Sequence, residues 1–337
     1  MSESHLDQAV AKNRLPAWRV TLAMINFRKL LWSINFLGII MMYCVALVPG
    51  LIFKAFFDLL SGEASAGITL WTLVALLVAV EAVRILSNWL VWRSNVPFFV
   101  HTLALLRNNM LRNVLQKPGA SAIPDSPGEA TSRFNMDAFD ISLFALWINN
   151  LLGNLAMGAG AITMMVIIDP TISMIALFPF IIVIVISHLA LDRIEHYFRV
   201  SRRWTGIVVG FIGEMFSSIQ AIKVANAEHS VLGQFDRLNK NRKDAAIKDT
   251  LFNQVLDSLF INTASLGVGI ILLFVAEAMQ SGTFSVGDFA LFVFYLGFIS
   301  ELTTFLGMLI STYKRNGVSI GRMEKLMGGA QHDALIE

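Results

Sequence analysis

The chain has one cysteine, few prolines and little charge: of 337 residues, 8 are proline and 15% are Asp, Glu, Lys or Arg. Each scarcity excludes something. Cys44 has no second cysteine to bond, so there is no internal disulfide and no thiolate set for zinc. Six histidines without ligand spacing add no metal site, and His188 reads equally as a packed residue or a proton carrier. The opening MSESHLDQAVAKNRLPAW lacks a short apolar core followed by a small-residue cleavage site, so no signal peptide is expected. The motif G-x-x-x-x-G-K-[ST] is absent, and with it the cradle of backbone amides and the lysine that hold nucleotide phosphates. The polypeptide is not expected to hydrolyse ATP by itself, and no nucleic-acid partner is expected.

What the chain has in plenty is hydrophobic residues, 55% of the total, clustered in blocks rather than alternating with polar ones. This is the composition of a polytopic, all-α membrane protein. Pro16 to Lys29 places Trp18, Leu22 and Ile25 on one helical face and Arg19, Arg28 and Lys29 elsewhere, as expected of a helix lying in the membrane interface. Six spans are expected to follow. The first runs from about Leu30 to Phe57 and ends in a polar turn over Asp58 to Gly67. The second, about Thr69 to Trp92, holds Glu81 and Arg84 and continues past Pro97 as a polar helix, before Pro118, Pro124 and Pro127 break the chain. Ser126-Pro127-Gly128-Glu129 reads as a capped helix start. A helix from there to Ile168 would be about 63 Å long, roughly twice the hydrocarbon thickness, and must project into water. Asp169-Pro170 turns the chain into a fourth span, kinked at Pro179 and reaching about Gly213. A fifth runs from about Ala227 to Gln280, and Ser285 with Asp288 caps a sixth that ends near Ile310.

Lys and Arg set the expected orientation. They gather in the amino-terminal segment, after span two, after span four and in the tail, and are absent from the three short turns. The positive-inside rule then puts both termini and both long hairpins in the cytoplasm of a multi-pass protein in the plasma or inner membrane. The longest polar interruption, Gly213 to Asp244, lies at the end of the second hairpin. There Met215, Phe216, Ile219, Ile222 and Lys223 fall at helical spacing, Ala225-Asn226-Ala227 interrupt it, and Val231, Leu232, Phe235 and Leu238 restart it. The pattern predicts helix, corner, helix, presented to a soluble partner.

Local sequence sharpens this picture. SPGEATSRFNMDAFDI (Ser126 to Ile141), GEMFSSIQAIKVANAEHSVLGQF (Gly213 to Phe235) and GTFSVGDFALFVFYLG followed by VSIGRMEKLM resemble, in order and spacing, segments of the exporter-type (type 1) transmembrane domain of ABC transporters. The resemblance implies that family's fold: six long transmembrane helices with two cytoplasmic helical hairpins. Residues 1–29 would be the cytoplasmic segment and interfacial elbow helix, 30–316 the six-helix domain, and 317–337 a linker toward a nucleotide-binding domain, fused or separate. It also implies coupling helices at the hairpin ends. By position the first is Asn108, Asn109, Met110, Leu111, Arg112, Asn113, Val114 and Leu115. The second is Met215, Phe216, Ser217, Ser218, Ile219, Gln220, Ala221, Ile222 and Lys223. No cofactor belongs to this chain; ATP and Mg would sit on the associated nucleotide-binding domain. The other implied partners are a second transmembrane half, as homo- or heterodimer with exchanged hairpins, and the lipid bilayer. Leu60-Ser61-Gly62-Glu63 has a superficial likeness to the family's "LSGGQ" but falls in a turn at the wrong end, and is treated as chance.

Polar groups inside the spans need partners, because an isolated charge there costs at least about 2.5 kcal/mol. Candidates for a cavity or gating role are Arg84, Asn150, Asn154, Asp257, Asn262 and Glu301. Each has a plainer reading. Glu81 and Arg84, one turn apart, can neutralise each other; Arg84 and Glu301, at matching depth, can instead pair between spans two and six. Asp257 also reads as interfacial, and Asn149, Asn150, Asn154, Asn253, Asn262 and Ser265 as glue between helices. Gly206, Gly210, Gly267 and Gly269 suit close helix packing, and the 15 methionines suit core filling. The expected function is the transmembrane part of an ATP-driven exporter working by alternating access. The rival readings are an ion-coupled secondary carrier using Asp257 and Glu301, and a non-transporting scaffold for a soluble partner.

Overall fold

The computed structural model describes residues 16–62, 69–116, 118, 127–327 and 332–336. The expected cap at Ser126, the break at Pro124, Glu63 and the rest of the first turn, and the side chain of His188 lie outside the described residues. Among the described residues all regular structure is helical. Five stretches among the described residues are long and apolar enough to cross a membrane: Lys29–Ser61, Leu70–Gln116, Gly128–Ile168, Glu228–Ala276 and Val286–Leu309. Pro170–Ile186 is a shorter apolar stretch. The chain divides into two compact units, Met1–Ser173 with Val275–Glu337, and Met174–Phe274.

In the first unit, α1 (Ala17–Phe27) follows Pro16 and buries Ala17, Val20 and Met24 while Trp18 and Leu22 stay exposed. The helix is as expected, but the face it packs on the chain holds Val20 and Met24 rather than Trp18 and Leu22. The first apolar stretch is two helices, α2 (Lys29–Val45) and α3 (Val48–Ser61), rather than one. Pro49 is the reason: it has no N–H to give and its ring crowds the carbonyl one turn back. The Leu47 carbonyl at this break accepts the Gly50 N–H at 3.2 Å and the Tyr295 hydroxyl at 2.9 Å. At its far end α3 stops on Gly62, left-handed at φ 82°, with its N–H returned to the Asp58 carbonyl. Leu60-Ser61-Gly62 is therefore the sequence of a helix stop.

Three long rods complete this unit. Helix α4 (Leu70–Gln116) passes through Pro97 without ending. Helix α5 (Pro127–Ser132) continues through a π-helical turn, Arg133–Asp137, into α6 (Ala138–Ile168). Helix α10 (Val286–Leu326) starts on a capping box: Ser285 Oγ accepts the Asp288 N–H at 2.9 Å, and Asp288 Oδ2 accepts the Ser285 N–H at 3.0 Å. The apolar stretch ends at Leu309, as the sequence reading expects near Ile310, but the helix does not break there or at 317, where a linker is expected. Instead the helix runs on to Leu326, because Ile320, Met323 and Met327 are core residues. They pack with Val20 and Met24 of α1, Phe98, Leu106 and Met110 of α4, and Ile141 of α6. Leu335, in the short 3-10 turn His332–Leu335, is fully buried in the same cluster, and Asn109 Nδ2 donates to its carbonyl at 3.1 Å.

The second unit is built on parts of α7 (Pro170–Ser217) and α9 (Glu228–Gln280), with α8 (Ile219–Val224) between them. At 48 and 53 residues these helices are more than twice the length a hydrocarbon core of about 30 Å requires. Pro179 lies inside α7 without ending it. Tyr197 of α7 and Phe252 of α9 bring their rings to 5.4 Å.

Three of the four glycines expected at close contacts stand in open space, and a glycine outside that set makes one. A Cβ on Gly206, Gly210 or Gly269 would meet nothing within 4 Å, whereas one on Gly287 would overlap the Asp58 carboxylate and the Lys54 carbonyl. Gly287→Ala should thus lower stability by about 1–3 kcal/mol, while Gly206→Ala, in open helix, should raise it by about 0.5–1 kcal/mol. Thermal unfolding of the two variants in detergent, with opposite shifts in midpoint, checks this.

Candidate functional site

The end of the second hairpin has a defined shape with a local cause. Ser217 and Ser218 each turn their hydroxyl back to a carbonyl one turn earlier, Gly213 at 2.9 Å and Glu214 at 2.6 Å. Such bonds compete with the helix ladder, and α7 ends here. Ser218 leaves helical geometry (φ −115°, ψ 17°) and α8 begins at Ile219. The other end of α8 is a Schellman stop: the Asn226 N–H donates to Lys223 O at 3.2 Å and the Ala227 N–H to Ile222 O at 3.0 Å. Asn226 itself is left-handed at φ 49°, a conformation asparagine tolerates better than most residues. The corner predicted at Ala225-Asn226-Ala227 is present; the break at Ser218 is additional. The segment Met215 to Lys223 is therefore two pieces, the last turn of α7 and most of α8, with Ser218 as the joint.

This end presents apolar surface. Phe216 is 71% exposed and Val224 85%, with Ile219 and Leu232 also exposed. Met215, Phe216, Ile219, Ile222, Val231 and Leu232, edged by Lys223 and Glu228, line a hollow of about 230 Å³. Ser217, Gln220 and Ala221, all exposed, surround it with small and polar groups.

The first hairpin differs. Asn108 to Leu115 are the final turns of α4, continuous with the rod and not a separate helix. Asn109 and Met110 are buried, Asn113 and Val114 half-buried, and only Asn108, Leu111, Arg112 and Leu115 form an exposed face. Arg107 Nε donates to the Phe134 carbonyl at 2.8 Å and ties this rod to the π-helical turn before α6.

Of the polar residues predicted in the spans, most are structural. Asn149 Nδ2 of α6 donates to Asn35 Oδ1 of α2 at 2.9 Å, and Asn35 Nδ2 donates to Ser94 Oγ of α4 at 3.3 Å. All three are buried, so this chain of amides glues three helices. Asn154 Nδ2 bonds Tyr43 Oη of α2 at 2.9 Å and the Asn150 carbonyl at 3.1 Å. Asn150 donates to Leu146 O and Asn262 to Ser258 O, each within its own helix. Asp257 is exposed. The expected pair between Arg84 and Glu301 is not formed: Arg84 Nη1 meets Glu81 Oε1 at 2.7 Å, one turn away, where a partner is held at no cost in helix separation. Glu301 instead lies where its charge acts on Tyr43.

Two clusters escape the sequence reading. Lys54 of α3 pairs with Asp288 of α10 and lies 3.6 Å from Asp58, whose Oδ1 accepts the Gly287 N–H at 3.1 Å. Asp137, 3% exposed at its side chain, accepts from Ser319 Oγ at 2.9 Å and from Arg322 Nη2 at 2.5 Å, with Arg133 Nη1 at 3.8 Å. The signals were there: a lysine inside an apolar run with an aspartate one turn on, and charges at the ends of two rods that must pack.

The family described as ABC transporter transmembrane region matches residues 30–302. Among curated proteins, "Uncharacterized ABC transporter ATP-binding protein YknV" of Bacillus subtilis (strain 168) is 21% identical over 309 residues, 90% of this chain and 51% of that protein. "Serine protease/ABC transporter B family protein tagA" of Dictyostelium discoideum is 23% identical over 295 residues, 87% of this chain and 16% of that protein. The chain thus spans about half the length of the Bacillus protein and a smaller part of the other.

The two hairpins should differ in reactivity. In a Cys44→Ser background in nanodiscs, cysteines placed by Phe216→Cys and Val224→Cys should react with a water-soluble maleimide within minutes. Met110→Cys should react at least about tenfold more slowly, its side chain being fully buried.

Proposed function

Because the chain belongs to the family of ABC transporter transmembrane regions, we propose that it forms the membrane-spanning part of an ATP-driven exporter, working by alternating access. The observation that carries this reading is the end of the second hairpin: a six-residue helix, stopped at both ends, displaying Phe216, Ile219 and Val224 beyond two rods of 48 and 53 residues. An apolar knob ringed by small polar groups is what a cleft on a soluble domain can bury without stranding hydrogen-bonding groups. Helices without loops along their length carry a displacement at the knob into the spans. The partner cleft belongs to a nucleotide-binding domain, where ATP and Mg are held. The printed name of the Bacillus relative, an ATP-binding protein of which this chain matches about half, supports such a domain in the working assembly.

The first hairpin contributes through its exposed face, Asn108, Leu111, Arg112 and Leu115, while Asn109 and Met110 hold the rod to the core. A second transmembrane half completes the translocation path, with the α7–α9 hairpin reaching the nucleotide-binding domain of the opposite half. Both termini and both hairpins are on the cytoplasmic side, following the Lys and Arg distribution.

Phe216→Asp puts a charge where the knob must be buried and should lower ATP-dependent transport by the assembled transporter by at least about tenfold, with the spans still folded. Proteoliposome flux measured beside thermal unfolding checks this. Unchanged flux in a folded variant overturns the coupling role.

A further inference from the structure

Glu301 stands apart from the other charges in the spans. It lies roughly 22 Å along α10 from Val286, and Asn154 lies roughly 21 Å back along α6 from Ile168, so the two share a depth well inside the apolar region. Lys54 has Asp288 and Asp58, and Arg84 has Glu81, but among the described residues no cation pairs with Glu301. At the same depth α2 and α6 carry polar oxygens and an aromatic ring. The charge of Glu301 acts on Tyr43, whose hydroxyl oxygen is already taken by Asn154 Nδ2 at 2.9 Å. Asn154 is 1% exposed, yet its Oδ1 has no hydrogen-bond partner. One turn on from Glu301, Phe305 stands 6.1 Å ring to ring from Trp147, and Trp147, Asn150 and Asn154 follow one another along one face of α6.

A carboxylate, an unsatisfied amide oxygen and aromatic faces all attract positive charge, and they do so strongly where water is scarce. A carboxylate, a hydroxyl and one amide oxygen are too few for calcium or magnesium, which take six or more oxygen ligands. They suit a cation that carries its own apolar groups. We propose that Glu301, Tyr43 and Asn154, with Trp147 and Phe305, form a recognition site for organic cations of the quaternary ammonium or phosphonium class. That this site holds cargo rests on the transport reading above; that it binds such cations does not.

The test uses the full chain in nanodiscs with two probes of the same shape and opposite charge, tetraphenylphosphonium and tetraphenylborate. Tetraphenylphosphonium should bind saturably and tetraphenylborate should not. Glu301→Gln should weaken phosphonium binding by at least about tenfold, Glu301→Asp should retain part of it, and Tyr43→Phe should cost roughly threefold. Glu81→Gln, a second intramembrane carboxylate removed, should leave affinity unchanged, and Trp147→Phe should abolish the accompanying fluorescence change. Equal affinity of the Glu301→Gln protein, equal binding of the two probes, or no saturable binding overturns the proposal. If Glu301→Gln fails to fold, the Tyr43→Phe and Trp147→Phe arms decide, and an unchanged affinity with an unchanged signal in both overturns it. The two readings fail separately. Glu301-dependent binding without ATP-driven uptake removes the transport reading and leaves the site, while ATP-driven flux of another compound without phosphonium binding removes the site alone.

Discussion

A polar side chain in hydrocarbon has no water to turn to, so it bonds to another helix, bonds to its own, or stays costly. Much of the first unit follows from that constraint. Asn149, Asn35 and Ser94 hold α6, α2 and α4 in register through buried amides and a hydroxyl. Tyr295 of α10 donates to the Leu47 carbonyl at the break before Pro49, so the break in the first span is also a contact with the last. Lys54 reaches Asp288 across α3 and α10, and the lack of a side chain on Gly287 lets Asp58 meet its N–H. The same rule makes Glu301 informative, because it shares the environment of these residues without sharing their solution.

Beyond the apolar stretches the chemistry changes. The rods continue into a region held by apolar contacts among α1, α4, α6, α10 and the turn at Leu335, and by the charge cluster of Asp137 with Ser319, Arg322 and Arg133. Asp137 is buried, so removing its partners would strand its charge away from water. In the second unit the helical ladder is interrupted at two points, Ser218 and Asn226.

Much of this was legible in the sequence because it depends on local rules. The Ser285 and Asp288 capping box and the corner at Ala225-Asn226-Ala227 each come from residue order alone. What was not legible depends on competition between nearby choices or on packing in space. Ser218 breaks its helix without proline or glycine, through hydroxyls that bond backward. Arg84 had two acceptors at equal depth, and the one on its own helix prevails. Small residues at Gly206 and Gly210 look like a packing stripe, yet nothing meets them. The extension of α10 past Ile310 rests on Ile320 and Met323 finding a core that only the folded chain assembles.

On the proposed reading, α8 is the surface on which ATP chemistry acts. Amide hydrogen exchange over Ile219 to Val224 reports on it directly, because burial of this six-residue helix in a partner cleft protects amides that otherwise open with the hairpin end. In the assembled transporter these amides should exchange at least about tenfold more slowly than in the chain alone, and their rates should differ between ATP-bound and nucleotide-free states. Equal rates in the chain alone and in the assembly, with or without ATP, would contradict the account.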